Sequence, residues 1–141
     1  MNGMKSKFVG LDSNIFSYQF HQNPQFGPAT KKIFDALSSN QLRAVTSIIT
    51  LLEILSVNAP PNKIKGLEKL FLEMPNLMTF PVNHEIAVMA TTIRREYKFR
   101  TPDAIQLATA KHARAKAFIT NDDDLKKFKE LKIILLSELK D

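Results

Sequence analysis

The chain has 141 residues, of which 44% are hydrophobic and 24% charged, a composition typical of ordinary globular domains and not of disordered chains. It contains no cysteine, which excludes disulfides, thiolate metal sites and cysteine nucleophiles. The net charge of +6 favours polyanionic partners, such as nucleic acid or an acidic protein.

The amino terminus has neither a long apolar core nor a cleavage site, so we expect no signal peptide. The most apolar segment, residues 48–55, is interrupted by Thr50 and Glu53 and is too short to span a bilayer. We therefore expect a soluble, cytoplasmic protein, without membrane association, that forms a single domain over residues 1–141.

The first predicted element is a short buried strand at residues 8–11, which ends in Asp12. Ser13 and Asn14 follow and open a helix. In open α/β sheets, ligands bind at the carboxyl ends of the strands, so Asp12 is well placed for chemistry. The alternative is that Asp12 caps the helix or a turn.

A second acid lies on a nearly all-apolar helix. A helix at residues 29–38 and a strand at residues 42–46 precede this helix, which we predict at residues 47–57 and whose single charge is Glu53. Thr46, Thr50 and Glu53 have helical spacing, which predicts one polar stripe facing a wet cleft. The alternative is an ion pair between Glu53 and a nearby Lys or Arg.

A third acid opens a helix predicted at residues 102–114, after a helix at 64–74, a strand at 77–80 and a helix from residue 83. Thr101 is the expected N-cap and Pro102 the first helical residue, so Asp103 lies in the first turn. The positions that follow leave almost no polar face, which predicts burial. Asp103 then bonds first-turn amides, pairs with a basic residue, or shares a cation with other carboxylates.

Basic residues surround this third acid. Seven lie between positions 94 and 116, against Glu96 and Asp103. They form either a solvated surface or a flank that binds phosphates. In the second case we expect Arg94, Arg95 and Arg100 to contact the nucleic-acid backbone.

A fourth acid follows the strand predicted at residues 117–120. The run Asp122-Asp123-Asp124 can cap a short helix at 125–129, although capping does not require all three acids. A last strand is predicted at residues 133–136. The alternation of strands and helices predicts an α/β fold, with a mainly parallel sheet of four to five strands between two helical layers.

If the strands are parallel, Asp12 and Asp122 emerge at one sheet edge, and Glu53 and Asp103 can converge on it. Carboxylates about 5 Å apart repel each other by roughly 3 kcal/mol per pair at an effective dielectric near 20. Such a cluster needs a divalent cation. All-oxygen ligands, with no suitable histidine pair, favour Mg²⁺ or Mn²⁺ over zinc, and such an ion can activate water against a phosphodiester.

The chain resembles the PIN-domain nucleases, and especially the VapC-type toxins of toxin-antitoxin pairs. The resemblance is carried by Leu11-Asp12-Ser13-Asn14, the lone Glu53, the segment Arg100 to Ala110 with Asp103, and Ile119-Thr120-Asn121-Asp122. It implies a three-layer α/β/α sandwich and metal-dependent cleavage of RNA. It also implies a homodimer and a cognate antitoxin that inhibits the enzyme.

The resemblance assigns roles residue by residue. Asp12, Glu53, Asp103 and Asp122 match the metal-binding and catalytic acids, with Glu53 in some cases acting through water. Asp124 matches a position that helps through water. Asn14 and Thr120 match polar neighbours of the acids, and Ser13 replaces a common Thr while keeping its hydroxyl.

Other functions remain open at this point. A strand-end Asp also begins haloacid-dehalogenase-like phosphatases and phospho-receiver domains. The first would need an acid where Asn14 stands, and the second would need paired acids before the strand-end Asp and a late Lys. A PIN-like module that binds RNA or protein without catalysis is the main alternative, and the presence of all four acids argues against it.

Overall fold

Five short parallel strands form the centre of the molecule, for which the computed structural model describes residues 7–139. The predicted sheet is confirmed. Its spatial order is β3-β2-β1-β4-β5, and every neighbouring pair is parallel. The strands are β1 (Lys7–Leu11), β2 (Leu42–Ser47), β3 (Leu77–Phe80), β4 (Ala117–Thr120) and β5 (Lys132–Leu135).

Helices connect the strands and cover both faces of the sheet. They are α1 (Ser13–Phe20), α2 (Gly27–Ser38), α3 (Ile49–Leu55), α4 (Pro61–Leu72), α5 (His84–Tyr97) and α6 (Thr101–His112), with 3-10 helices at Asp123–Lys127 and Leu136–Glu138. None of the helices within residues 7–139 combines the length and the apolar character that a membrane span requires. Residues 1–6, where the sequence predicts no signal peptide, lie outside the described part of the chain.

Alternating side chains of the strands divide the interior into two cores. Val9 and Leu11 of β1 pack with apolar residues of α1, α2 and α4 on one face. On the other face, Val45 of β2 and Phe118 of β4 pack with α5 and α6. This is the α/β/α sandwich that the sequence predicted.

Gly10 allows α6 to lie very close to β1. A Cβ atom at Gly10 would come within 2.7 Å of Ala110 Cβ and 2.8 Å of Phe118 Cδ1, both too short for real contacts. Because β1 is the central strand, this close approach places α6 over the middle of the sheet.

Several predicted boundaries differ from the structure by one to three residues, and three of these differences lie next to the predicted acids. The helix with Glu53 begins at Ile49 and not at residue 47, so Ser47 is the last residue of β2. Arg100, in extended conformation, is the N-cap of α6 in place of Thr101, and its side chain makes no capping bond. The short helix predicted at residues 125–129 is a 3-10 helix that begins at Asp123.

Candidate functional site

A cavity of about 320 Å³ opens at the carboxyl end of the sheet, and all four predicted acids line it. Asp12 follows β1 and Asp122 lies just after β4, its neighbour in the sheet. Glu53 comes from α3 and Asp103 from the first turn of α6. The complete lining is Asp12, Ser13, Asn14, Glu53, Arg100, Pro102, Asp103 and Asp122.

Asp12 is the most buried of these acids, with 4% of its surface exposed. Its Oδ1 accepts a 2.8 Å hydrogen bond from the Ser13 amide, and its Oδ2 accepts one of 2.7 Å from the Thr120 hydroxyl. Burial raises the pKa of Asp12 to about 6, against the lowering effect of those bonds, and the charges of Asp103 and Glu53 raise it further. Asp12 therefore caps α1 and also belongs to the acidic cavity.

Glu53 is exposed, as expected for a carboxylate that faces a wet cleft. Thr46 and Thr50, predicted on the same polar stripe, are instead fully buried. The Ser13 hydroxyl donates to Glu53 Oε1 over 3.0 Å. Among the described residues, no Lys or Arg forms an ion pair with Glu53. Its carboxylate thus remains available to the cavity.

Asp103 is half-buried and has a basic neighbour. Its Oδ2 lies 3.7 Å from Arg100 Nε. Burial raises the pKa of Asp103, Arg100 lowers it, and the charges of Asp122 and Glu53 raise it again. Of the three partners that the sequence left open, the structure shows the basic residue, together with acidic neighbours in the same cavity.

Thr120 links two of the acids. Its hydroxyl donates to Asp12 and accepts a 3.0 Å bond from the Asp122 amide. Asp122 in turn caps the 3-10 helix, because its Oδ1 accepts from the Asp124 amide over 3.0 Å. The Asn14 side-chain amide lies 3.5 Å from Thr120 Oγ1, while Asn14 Oδ1 is buried without a hydrogen-bond partner.

The remaining predicted site residues lie around the cavity. Asp124 is exposed, pairs with Lys127 over 3.1 Å and does not line the cavity. Arg94 Nε donates to the carbonyl of Phe99 over 3.3 Å, and Arg95 is exposed near the end of α5. Arg100 is the one residue of this basic group that reaches the cavity.

Sequence reasoning missed a buried polar group next to the site. Gln106 of α6 is 2% exposed and bonds to Thr50 of α3 and to the Ser47 amide of β2. A single amide side chain within an apolar helix, three residues after Asp103, was the available signal.

The donor chemistry of the cavity suits a hard divalent cation. All four carboxylates supply oxygen, and the unpaired Asn14 Oδ1 adds a neutral acceptor. Within residues 7–139, however, no three Asp, Glu or His side chains are grouped tightly enough to hold a metal ion as they stand. Because Asp103 already faces Arg100, it would have to exchange this partner for a cation.

A sequence model of the PIN domain matches residues 9–131 of the chain. The chain belongs to the PIN-domain family. A search of curated proteins found no match for this PIN domain.

Solved structures share the fold of this PIN domain at low sequence identity. One is a chain of VapBC2 from Rickettsia felis bound to promoter DNA (TM-score 0.72, 18% identity, 91% of this chain and 98% of that chain covered). Another is FitAcB from Neisseria gonorrhoeae (0.69, 19%, 93% and 99%). A third is VapC20 from Mycobacterium tuberculosis, described as a sarcin-ricin loop cleaving toxin (0.70, 11%, 86% and 95%).

Proposed function

We propose that this PIN domain is a divalent-metal-dependent endoribonuclease that hydrolyses RNA phosphodiesters. The observation that carries the proposal is that Asp12, Glu53, Asp103 and Asp122, from four separate segments, line one cavity. Carboxylates that gather in this way repel one another, and a cation offsets that repulsion.

Mg²⁺ or Mn²⁺ would be held by Asp12, Asp103 and Asp122, with Glu53 and Asp124 contributing through water. Bound there, the ion would lower the pKa of a water molecule and offset negative charge on the leaving oxygen. The protein supports this chemistry through its own contacts. Thr120 and the Ser13 amide hold Asp12, and the Ser13 hydroxyl holds Glu53.

Arg100 gives the cavity a cationic side chain beside its acids. When a cation takes the carboxylate of Asp103, Arg100 is free to bind a phosphate of the RNA. Arg94 and Arg95, near the end of the preceding helix, extend this basic flank. We propose that all three contact the RNA backbone, since Arg binds phosphate oxygens well.

We further propose that the protein is the toxin of a toxin-antitoxin pair, acts as a homodimer in the cytoplasm and forms one domain over residues 1–141. Support comes from the structural neighbours, which include complexes described as VapBC2 and as a toxin-antitoxin complex from Klebsiella pneumoniae. Exposed Leu52, Leu70 and Leu72 on α3 and α4 offer apolar surface for association.

The first test is Mn²⁺-dependent cleavage of RNA by the wild type and by Asp103→Asn. We expect the variant to lose activity by at least about 100-fold, because it removes charge that stabilises the reaction. Asp35→Asn is the matched control, since Asp35 is an exposed acid on α2 that pairs with Lys31. It should cleave like the wild type.

A protein that binds RNA without catalysis would give a different result. Wild type and Asp103→Asn would then show equal RNA affinity, and neither would cleave with Mn²⁺ or Mg²⁺. That outcome would replace the nuclease by a binding module. If cleavage is found, sequencing of the cut ends identifies the RNA.

A further inference from the structure

A continuous chain of buried polar groups runs from α6 to the end of β1. Gln106, Thr50 and Thr46 are 2%, 0% and 1% exposed. Gln106 Nε2 lies 2.8 Å from Thr50 Oγ1, which lies 2.6 Å from Thr46 Oγ1, and Thr46 Oγ1 lies 2.9 Å from the Leu11 carbonyl oxygen. Buried polar groups of this kind are costly unless every one is paired.

The direction of these hydrogen bonds is fixed by the groups at the two ends. The Gln106 side-chain NH₂ can only donate, and the Leu11 carbonyl can only accept. Gln106 therefore donates to Thr50, and Thr50 donates to Thr46. Thr46 donates to the Leu11 carbonyl over 2.9 Å, with Gln106 Oε1 as a more distant acceptor at 3.4 Å. The Ser47 amide donates to Gln106 Oε1 over 3.2 Å, which orients the side chain so that its NH₂ faces Thr50.

Three of the four segments joined by the chain, all but β2 with its Thr46, also carry one acid of the cavity. Gln106 is three residues after Asp103 on α6, and Thr50 is three residues before Glu53 on α3. Leu11 directly precedes Asp12. The polar chain therefore links the three backbone segments whose spacing determines how far apart these carboxylates lie.

We propose that Gln106, Thr50 and Thr46 are positioning residues that set the spacing of Asp12, Glu53 and Asp103 for binding a divalent cation. This inference rests on the proposed function. The three side chains act through the backbone segments they join and touch neither metal nor RNA. Residues that orient metal ligands in this way strongly affect metal affinity even without contacting the ion.

Thr50→Val tests the proposal, because valine has the shape of threonine without its hydroxyl. Mn²⁺ binding to the full chain, measured by titration calorimetry, should weaken by about 10- to 100-fold. Thr50→Ser keeps the hydroxyl and should restore the affinity. Gln106→Met, which removes the first donor, should weaken binding in the same way and serves if Thr50→Val does not fold.

Thr109→Val is the matched control. Thr109 is also a buried threonine, 1% exposed, but its hydroxyl donates only within α6, to the carbonyl of Ile105 over 2.7 Å. Its loss should leave Mn²⁺ affinity unchanged. Equal affinities for wild type, Thr50→Val and Gln106→Met, or an equal loss in Thr109→Val, would overturn the proposal.

A metal-free crystal structure of Thr50→Val separates failure of this inference from failure of the proposed function. We expect the distances among the carboxylates of Asp12, Glu53 and Asp103 to differ from those of the wild type. Unchanged distances would refute the positioning role whatever the activity. If the distances change but wild type neither binds Mn²⁺ nor cleaves RNA, the polar chain still sets the spacing, and both its metal role and the nuclease proposal are wrong.

Discussion

Asp12 both caps α1 and lines the acidic cavity. The hydrogen bonds that its carboxylate accepts lower its pKa, whereas its burial among other acids raises it. Burial has the larger effect, so the pKa rises to about 6 although Thr120 and the Ser13 amide both stabilise the carboxylate. At neutral pH the ionised carboxylate of Asp12 therefore destabilises the metal-free folded protein. A cation that binds the carboxylate would relieve this cost.

The free energy of unfolding of the metal-free protein should therefore depend on pH. The folded protein binds the proton of Asp12 more tightly than the unfolded chain, so this residue's contribution falls as pH rises from about 4 to about 6 and stays low above that. Asp12→Asn should raise the free energy of unfolding at pH 8 by about 1–3 kcal/mol, from about 1.4 kcal/mol per pKa unit. Near pH 4 the difference should largely disappear.

Urea unfolding of both proteins at several pH values, in chelator, measures this difference. Added Mn²⁺ should then stabilise the wild type and leave Asp12→Asn almost unchanged. A pH-independent difference between the two proteins, or a variant that is less stable at pH 8, would contradict the prediction.

At this scale the sequence predicted which acids line one cavity but not how they are held. Asp12 and Asp122 could be placed together because both follow strands of one parallel sheet, which is a rule of chain direction. The bond from Ser13 to Glu53 joins residues 40 positions apart, and that from Gln106 to Thr50 spans 56. Such pairings depend on how α1, α3 and α6 pack, which no local pattern records.

At the scale of elements, errors arose at the first residues of helices. The apolar run after β2 predicts one long helix, but the Ile48 amide bonds to the Phe80 carbonyl at the end of β3. This bond keeps the backbone in the sheet through Ser47, and Ile48 is the N-cap, so α3 begins at Ile49. Similarly, the Arg100 carbonyl accepts the first bond of α6, from Ala104, which makes Arg100 the N-cap.

The contact between β1 and α6 yields a prediction about Gly10. Gly10→Ala should destabilise the protein by about 1–3 kcal/mol, because the new methyl group collides with Ala110 and Phe118. It should also reduce RNA cleavage, since moving α6 moves Asp103. Urea unfolding and the cleavage assay give the two measurements.

Gly66→Ala is the natural control for that change. Gly66 lies within α4, and a Cβ atom there would meet nothing within 4 Å. Alanine should therefore stabilise the protein by roughly 0.5–1 kcal/mol through its helix propensity, with cleavage unchanged. Equal effects of the two substitutions would mean that the close packing of α6 on β1 has no special role.

For the whole molecule, the central question is how a chain of net charge +6 presents an acidic cavity to a polyanion. The cavity gathers four carboxylates, while Arg100 lines it and Arg94 and Arg95 lie on the helix that precedes α6. RNA would thus be held by the basic flank beside the acids. The sequence predicted this flank from charge density, but it could not show that Arg100 alone reaches the cavity.

The three arginines do not offer equally clean tests. Arg94 donates to the Phe99 carbonyl and so supports the loop before α6, and Arg100 pairs with Asp103. Arg95 is exposed near the end of α5. Arg95→Gln therefore removes a proposed phosphate contact with the least effect on the fold and on the acids.

Binding of single-stranded RNA by Arg95→Gln should be weaker than wild-type binding and less sensitive to salt. Losing one phosphate contact lowers the slope of log affinity against log salt concentration by about 0.7. Lys65 is an exposed residue of α4, which packs on the opposite face of the sheet. Lys65→Gln removes the same charge there and should keep the wild-type slope. Fluorescence anisotropy with labelled RNA in chelator, from low to moderate salt, gives these slopes without cleavage. If both variants reduce the slope equally, net charge and not the flank beside the cavity governs RNA binding.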